Sequence, residues 1–216
     1  MEFIFLLLGL LLGYQFFLVF VQERWIRKTD VPLVIVNGME FVYEAAGTFE
    51  MGCSAAEESA CDEEIEATTS SKIIRGYMIT KNPVTKEAYR KFKNLSSEKQ
   101  AVNAPVIGLT WFEAESFCAA LETELPTEAQ WESAIRRGGS VVPSEVSEWT
   151  ADRYAAYPKF TDRSPRIDPQ GPDSGSLRVV RAGTKAGGWH RFGVSPEDAT
   201  RGIGFRCVGW QDLSGH

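Results

Sequence analysis

The amino-acid sequence predicts an α+β domain, with much ordered coil around one small antiparallel sheet, preceded by one N-terminal transmembrane helix. Three observations carry this. Residues 3–21 read FIFLLLGLLLGYQFFLVFV, with no charge and only Gln15 strongly polar. Short β-patterned runs then flank an Asn37-Gly38 pair. Three capped helical patterns follow, before a second half rich in Gly, Pro, Ser and Asp. With 44% hydrophobic and 24% charged residues, the 216-residue chain has the make-up of a folded protein.

At 1.5 Å per residue, a helix over 3–21 spans about 28 Å, close to the hydrocarbon thickness of a bilayer. A cleaved secretory signal needs a basic start, a shorter apolar core and a small-x-small site. Here the start is Met1-Glu2, and residues 16–20 are Phe, Phe, Leu, Val and Phe. The expectation is an uncleaved anchor and juxtamembrane linker over 1–30, with one folded domain over 31–216. Gly9 and Gly13 form a small-xxx-small pair for packing against a partner helix.

In the domain, 31–36 and 39–43 form the arms of a hairpin, because Asn-Gly favours a type I′ turn. A third strand is expected over 72–79 (KIIRGYMI). Thr85 opens a helix with Ala88, Tyr89 and Phe92 on one face. Thr110 and Glu113 make a capping box before Trp111, Ala114, Cys118 and Leu121 at helical spacing. Thr127 and Gln130 repeat the box, opening a helix with Trp131 and Ala134 that stops at the glycines 138 and 139. Beyond residue 140, long irregular loops are expected, with short strands near 179–181 and 205–210.

Several motifs now occur in order: GTFEMG (47–52), PVTKEAY (83–89), LPTEAQWE (125–132), EWTAD (148–152), RVVRAG (178–183) and GFRC (204–207). Together they resemble the formylglycine-generating enzyme, or sulfatase-modifying factor, family over nearly all of the chain after residue 31. The resemblance implies a C-type-lectin-like fold with a small twisted antiparallel sheet, a few helices and much ordered coil. Trp111, Trp131, Trp149 and Phe205 then belong to the core rather than to a ligand cage.

Four cysteines allow three pairings. The resemblance implies that Cys118 meets Cys207, which leaves Cys53 and Cys61 to close the acidic loop between them. Two disulfides require an oxidising compartment, whereas Arg24, Arg27 and Lys28 beside the anchor favour retaining the domain in the cytoplasm. The cysteines decide the expectation: single-pass in the cytoplasmic (inner) membrane, with the domain on the periplasmic or extracellular side.

Catalytic members of the family carry a copper-binding cysteine pair in the stretch that here runs from Arg181 to Arg201, and this stretch contains no cysteine. The thiolates for copper-dependent formylglycine formation are therefore absent. The iron-dependent branch needs a histidine cluster, and this chain has two histidines, His190 and His216. Glu128, Glu132, Glu148 and Asp152 are carboxylates available for acid–base work, but Glu128 and Glu132 read more simply as helix-end groups that bind backbone donors or pair with Arg136 and Arg206. The resemblance also places calcium on the Glu of the E-W motif. Glu148 matches, yet no Asn stands at the expected position before it. No catalytic or other cofactor-binding residue is assigned.

Glu57, Glu58, Asp62, Glu63, Glu64 and Glu66 read as a solvated loop. A net charge of −6 without a basic aromatic patch excludes a nucleic-acid binder. The sequence thus predicts a membrane-anchored, non-catalytic accessory or structural subunit that binds another protein of a membrane complex. The alternatives are an enzyme modifying an exported protein or peptide, and a calcium-dependent glycan-binding module.

Overall fold

The computed structural model describes residues 33–52, 69–95, 103–137, 141–157, 164–183 and 190–210. The expected membrane helix with Gly9 and Gly13, the Cys53–Cys61 loop and His216 lie outside the described residues. Among the described residues, no helix is long and apolar enough to cross a membrane.

Asn37 and Gly38 take φ of 50° and 80°, the left-handed pair that a type I′ turn requires. They join β1 (Leu33–Val36) to β2 (Met39–Glu44) in the register Val36↔Met39 and Val34↔Phe41. The run expected as one strand is two, β4 (Thr69–Ile73) and β5 (Tyr77–Thr80), broken at Ile74, Arg75 and Gly76. The break lets β5 pair with β2 while β4 pairs with β3 (Gly47–Met51). A Cβ at Gly76 would collide with the Tyr43 ring, so the turn packs against β2 only without a side chain.

All three helices start at their expected caps: α1 (Lys86–Phe92) at Thr85, α2 (Trp111–Ala119) at Thr110 and α3 (Glu128–Arg136) at Thr127, the last two with complete capping boxes. The second half holds more strand than its composition suggests: β6 (Glu148–Arg153), β7 (Arg166–Ile167), β8 (Arg178–Arg181), β9 (Arg191–Val194), β10 (Gly204–Phe205) and β11 (Val208–Gly209).

Among the described residues, three small sheets take the place of the single expected one. Their orders are β1-β2-β5-β11, β10-β6-β8-β9 and β3-β4-β7. Two pairings, β10 with β6 and β4 with β7, are parallel, so the sheets are not purely antiparallel. In β6 the polar Glu148, Thr150 and Asp152 are buried like Trp149, so its polar/apolar alternation does not mark a wet and a dry face as it would in a half-exposed antiparallel strand.

The main core gathers Phe41 and Met78 from the first sheet, Trp149, Val180 and Phe205 from the second, and Phe117 and Cys118 from α2. Trp111, Trp131, Trp149 and Phe205 are all buried, as expected of core residues. Cys118 and Cys207 form a disulfide that ties α2 to the C-terminal strands. The described part of the chain is an α+β domain with few helices and several small sheets.

Candidate functional site

The candidate site is built around α3. Capping fixes its first turn: Thr127 Oγ1 accepts from Gln130 N at 3.1 Å, and Gln130 Oε1 accepts from Thr127 N at 2.8 Å. Every residue from 128 to 134 is buried, so its two glutamates point into protein and need cationic partners.

Glu128 finds several. Its Oε1 accepts from Tyr157 Oη at 2.8 Å, Arg181 Nη1 at 2.8 Å and Arg191 Nε at 2.7 Å, and its Oε2 accepts from Arg191 Nη2 at 3.0 Å. Burial alone would raise its pKa, but the guanidiniums of Arg191 and Arg181 outweigh it and hold the carboxyl below the ordinary value. Arg191 also stacks on Tyr154 and Tyr157, 4.8 and 4.2 Å from the ring centres.

One turn on, Glu132 Oε1 accepts from Arg136 Nε at 2.6 Å and from Gly52 N at 2.9 Å. Its Oε2 lies 3.1 Å from Arg181 Nη2 without hydrogen-bond alignment. Burial dominates at Glu132 and raises its pKa despite these two arginines.

Asp152, at the end of β6, faces the N-terminus of α3. Its Oδ2 accepts from Glu128 N and its Oδ1 from Gly171 N, each at 2.5 Å. Burial and then the Glu128 charge push its pKa up to about 6. Gly171 is a glycine for a steric reason, since a Cβ there would run into the Arg153 carbonyl. Above these groups lies a cleft of about 390 Å³, walled by Met51, Ile167 and Pro169 and floored by Glu128, Asp152 and Arg191.

A second buried centre adjoins the first. Glu148 Oε2 accepts from Arg206 Nε at 2.8 Å and Trp131 Nε1 at 2.7 Å, and its Oε1 accepts from Arg206 Nη2 at 3.2 Å. Arg206 also donates to the carbonyls of Thr80, Lys81 and Val142. Glu148, where the resemblance places calcium, thus has Arg206 and Trp131 as its side-chain partners. Trp131 links the two centres, with Arg181 over its ring at 5.3 Å.

The structure thus joins Glu128, Glu132 and Asp152 in one network and sets Glu148 in the adjoining one. The Glu132–Arg136 pair is as expected. Arg206 serves Glu148 rather than the α3 glutamates, whose partners are Arg181 and Arg191. Those two arginines escaped the sequence reading, although an arginine ending a strand of valines (RVVR) is itself a sign of a buried carboxylate partner. His190 lies just before β9, where its carbonyl accepts from Ala182 N. Among the described residues, no three His, Cys, Asp or Glu side chains cluster as a metal site would need.

Comparison with known proteins agrees with this architecture. Residues 34–144 match the model of the sulfatase-modifying factor enzyme 1-like domain. The chain is 24% identical to a formylglycine-generating enzyme of Streptomyces coelicolor, aligning 52% of this chain with 54% of that one. It is 25% identical to the corresponding enzyme of Thermomonospora curvata, covering 52% and 58% of the two chains. With the serine/threonine-protein kinase pkn1 of Chlamydia pneumoniae, the 25% identity covers 55% of this chain and 26% of that one. The chain thus spans about half the length of the two enzymes, and less of the kinase.

Among solved structures, Treponema denticola variable protein 1 aligns with a TM-score of 0.60 at 20% identity, covering 82% of this chain and 97% of that one. PvdO from Pseudomonas aeruginosa gives 0.62 at 16%, with 82% and 97% covered. These likenesses concern the fold alone. With more than half of its length matched by the family model, the chain belongs to the sulfatase-modifying factor enzyme 1-like domain family.

Proposed function

We propose that this chain is a membrane-anchored, non-catalytic member of its family that binds another protein as an accessory or structural subunit of a membrane complex. The observation that carries the reading is the stretch from Arg181 to Arg201, which contains no cysteine to act as thiolate. In support, the buried glutamates of α3 and β6 are committed to arginines that hold α3, β6, β8 and β9 together, an arrangement suited to a rigid scaffold. The apolar run at 3–21 is the proposed single-pass anchor. The Cys118–Cys207 disulfide supports a domain on the periplasmic or extracellular side of the inner membrane.

One observation favours a second reading, an enzyme acting on an exported protein or peptide: Asp152, with its pKa raised to about 6, lies on the floor of a cleft. Both of its oxygens already hold backbone N–H groups, which places this reading second.

Extraction of native membranes in mild detergent tests the two. The accessory reading expects the chain to co-purify with a different protein at a fixed stoichiometric ratio. An enzyme would release its client and run alone, and recovery without any stoichiometric partner overturns the proposal.

A further inference from the structure

Among the described residues, strand β1 is the outer strand of its sheet and pairs only with β2. In a two-residue hairpin, the residues flanking the turn exchange both hydrogen bonds, and bonded and non-bonded pairs then alternate. Val36↔Met39 and Val34↔Phe41 are thus bonded pairs, whereas Leu33 and Ile35 direct their N–H and C=O groups away from β2. Among the described residues, no hydrogen bond uses those four groups. The side chains at the same two positions are 49% and 62% exposed.

Open edges of this kind are normally blunted by a charge, a bulge or an inward lysine. The strand reads LVIV, carries no charge and has no register shift. An apolar edge that no described residue covers is a template for another strand.

We infer that β1 pairs antiparallel with β1 of a second copy of this chain, across a two-fold axis at Val34. In that register Leu33 of each copy faces Ile35 of the other, and the four outward groups of each strand form four inter-chain hydrogen bonds. Apolar side chains meet apolar side chains, and the patch is self-complementary, as an isologous interface requires. A strand of four residues has too little surface to dimerise from dilute solution.

The chain before β1 supplies the missing concentration. Between the apolar run ending at Val21 and Leu33 lie residues 22–32, which reach at most about 40 Å. Two copies held in one membrane are therefore confined to the same thin layer, and association becomes effectively intramolecular. This last step rests on the anchor proposed above, whereas the edge geometry does not.

Cross-linking reads the edge directly. A non-bonded pair on the axis brings the two Val34 Cα atoms to about 4.5 Å, within disulfide range. The full-length Val34→Cys chain, in permeabilised native membranes treated with a mild oxidant, is expected to give a reducible dimer. Adding Leu33→Lys and Ile35→Lys sets lysines opposite lysines and should abolish that dimer while leaving the domain's melting temperature unchanged, since both positions are exposed. Cys introduced at Lys72, on another sheet, should give none. The inference is overturned if Val34→Cys yields only monomer, if it cross-links to a different protein, or if the lysine pair leaves the dimer intact. Carbonate extraction reads the anchor separately, so a chain released from membranes sinks the anchor and not the edge.

Discussion

Buried charge at single residues sets two expectations. Glu148 and Arg206 are both fully buried, and removing one partner of such a pair leaves an uncompensated charge, at a cost of about 3–5 kcal/mol. Glu148→Gln should therefore lower unfolding stability by that amount in urea titration, and a change below 1 kcal/mol would show that Arg206 is satisfied by its three carbonyls alone. Glu44 differs because, among the described residues, no such clamp holds it. Burial, only partly offset by Arg137, raises its pKa from 4.5 to about 7. A carboxyl raised on folding binds its proton more tightly in the folded state, so stability is greatest below 4.5 and is lost as pH rises through about 7. Asp152 acts in the same sense, but with its pKa at about 6 most of its loss falls below pH 6 and only a small remainder lies above it. Between pH 6 and 8, Glu44 should cost about 1 kcal/mol, or roughly 2–4 °C in melting temperature. The Glu44→Gln variant should remove most of that slope, and an unchanged slope would assign it to other groups.

Secondary-structure elements divide by how local their determinants are. The hairpin turn and all three helix starts were legible, because Asn-Gly, the simple Thr85 cap and the capping boxes at Thr110 and Thr127 act within four residues. The motif set also identified the family, and Glu128, Glu132, Glu148 and Asp152 stand within it, but that Glu128, Glu132 and Asp152 meet in one network is visible only in the fold. What stayed hidden depends on distant partners. Strand β6 forms because β8 and β10 lie on either side of it, and β9 because β8 extends it, neither of which periodicity can reveal. The choice of Arg181 and Arg191 as partners of Glu128 follows from that same strand order. Local capping remains testable by itself. Thr127→Ala removes the acceptor for Gln130 N, and such caps contribute about 1 kcal/mol. Because α3 carries Glu128 and Glu132 into the arginine network, a loss well above 2 kcal/mol would mean that the cap also fixes the approach of these carboxylates. Equilibrium unfolding of the variant distinguishes the two.

For the whole molecule, closure of the C-terminal strands onto the rest of the domain is the decisive step. Strand β11 completes the first sheet beside β5, while β10 begins the second beside β6, so residues 204–209 join the two. The Cys118–Cys207 bond pins this junction to α2 across a separation of 89 residues. In the chain-entropy account, closing a loop of that length stabilises the fold by about 4–5 kcal/mol. Non-covalent contacts hold the same junction: Thr80 N donates to Cys207 O, Val84 N to Phe205 O, and Glu124 and Val208 exchange two backbone bonds. Phe205 is fully buried and meets Phe117 edge-on at 5.5 Å. These contacts form only in the folded state, whereas the disulfide acts mainly on the unfolded chain, so the two effects separate on reduction. Reductant, or the Cys118→Ser/Cys207→Ser double variant, should leave the native circular dichroism intact at low temperature. It should also lower the melting temperature by roughly 10–15 °C. A loss of a degree or two would mean that the unfolded chain keeps α2 and the C-terminal segment together without the bond, through the aromatic contact of Phe117 with Phe205.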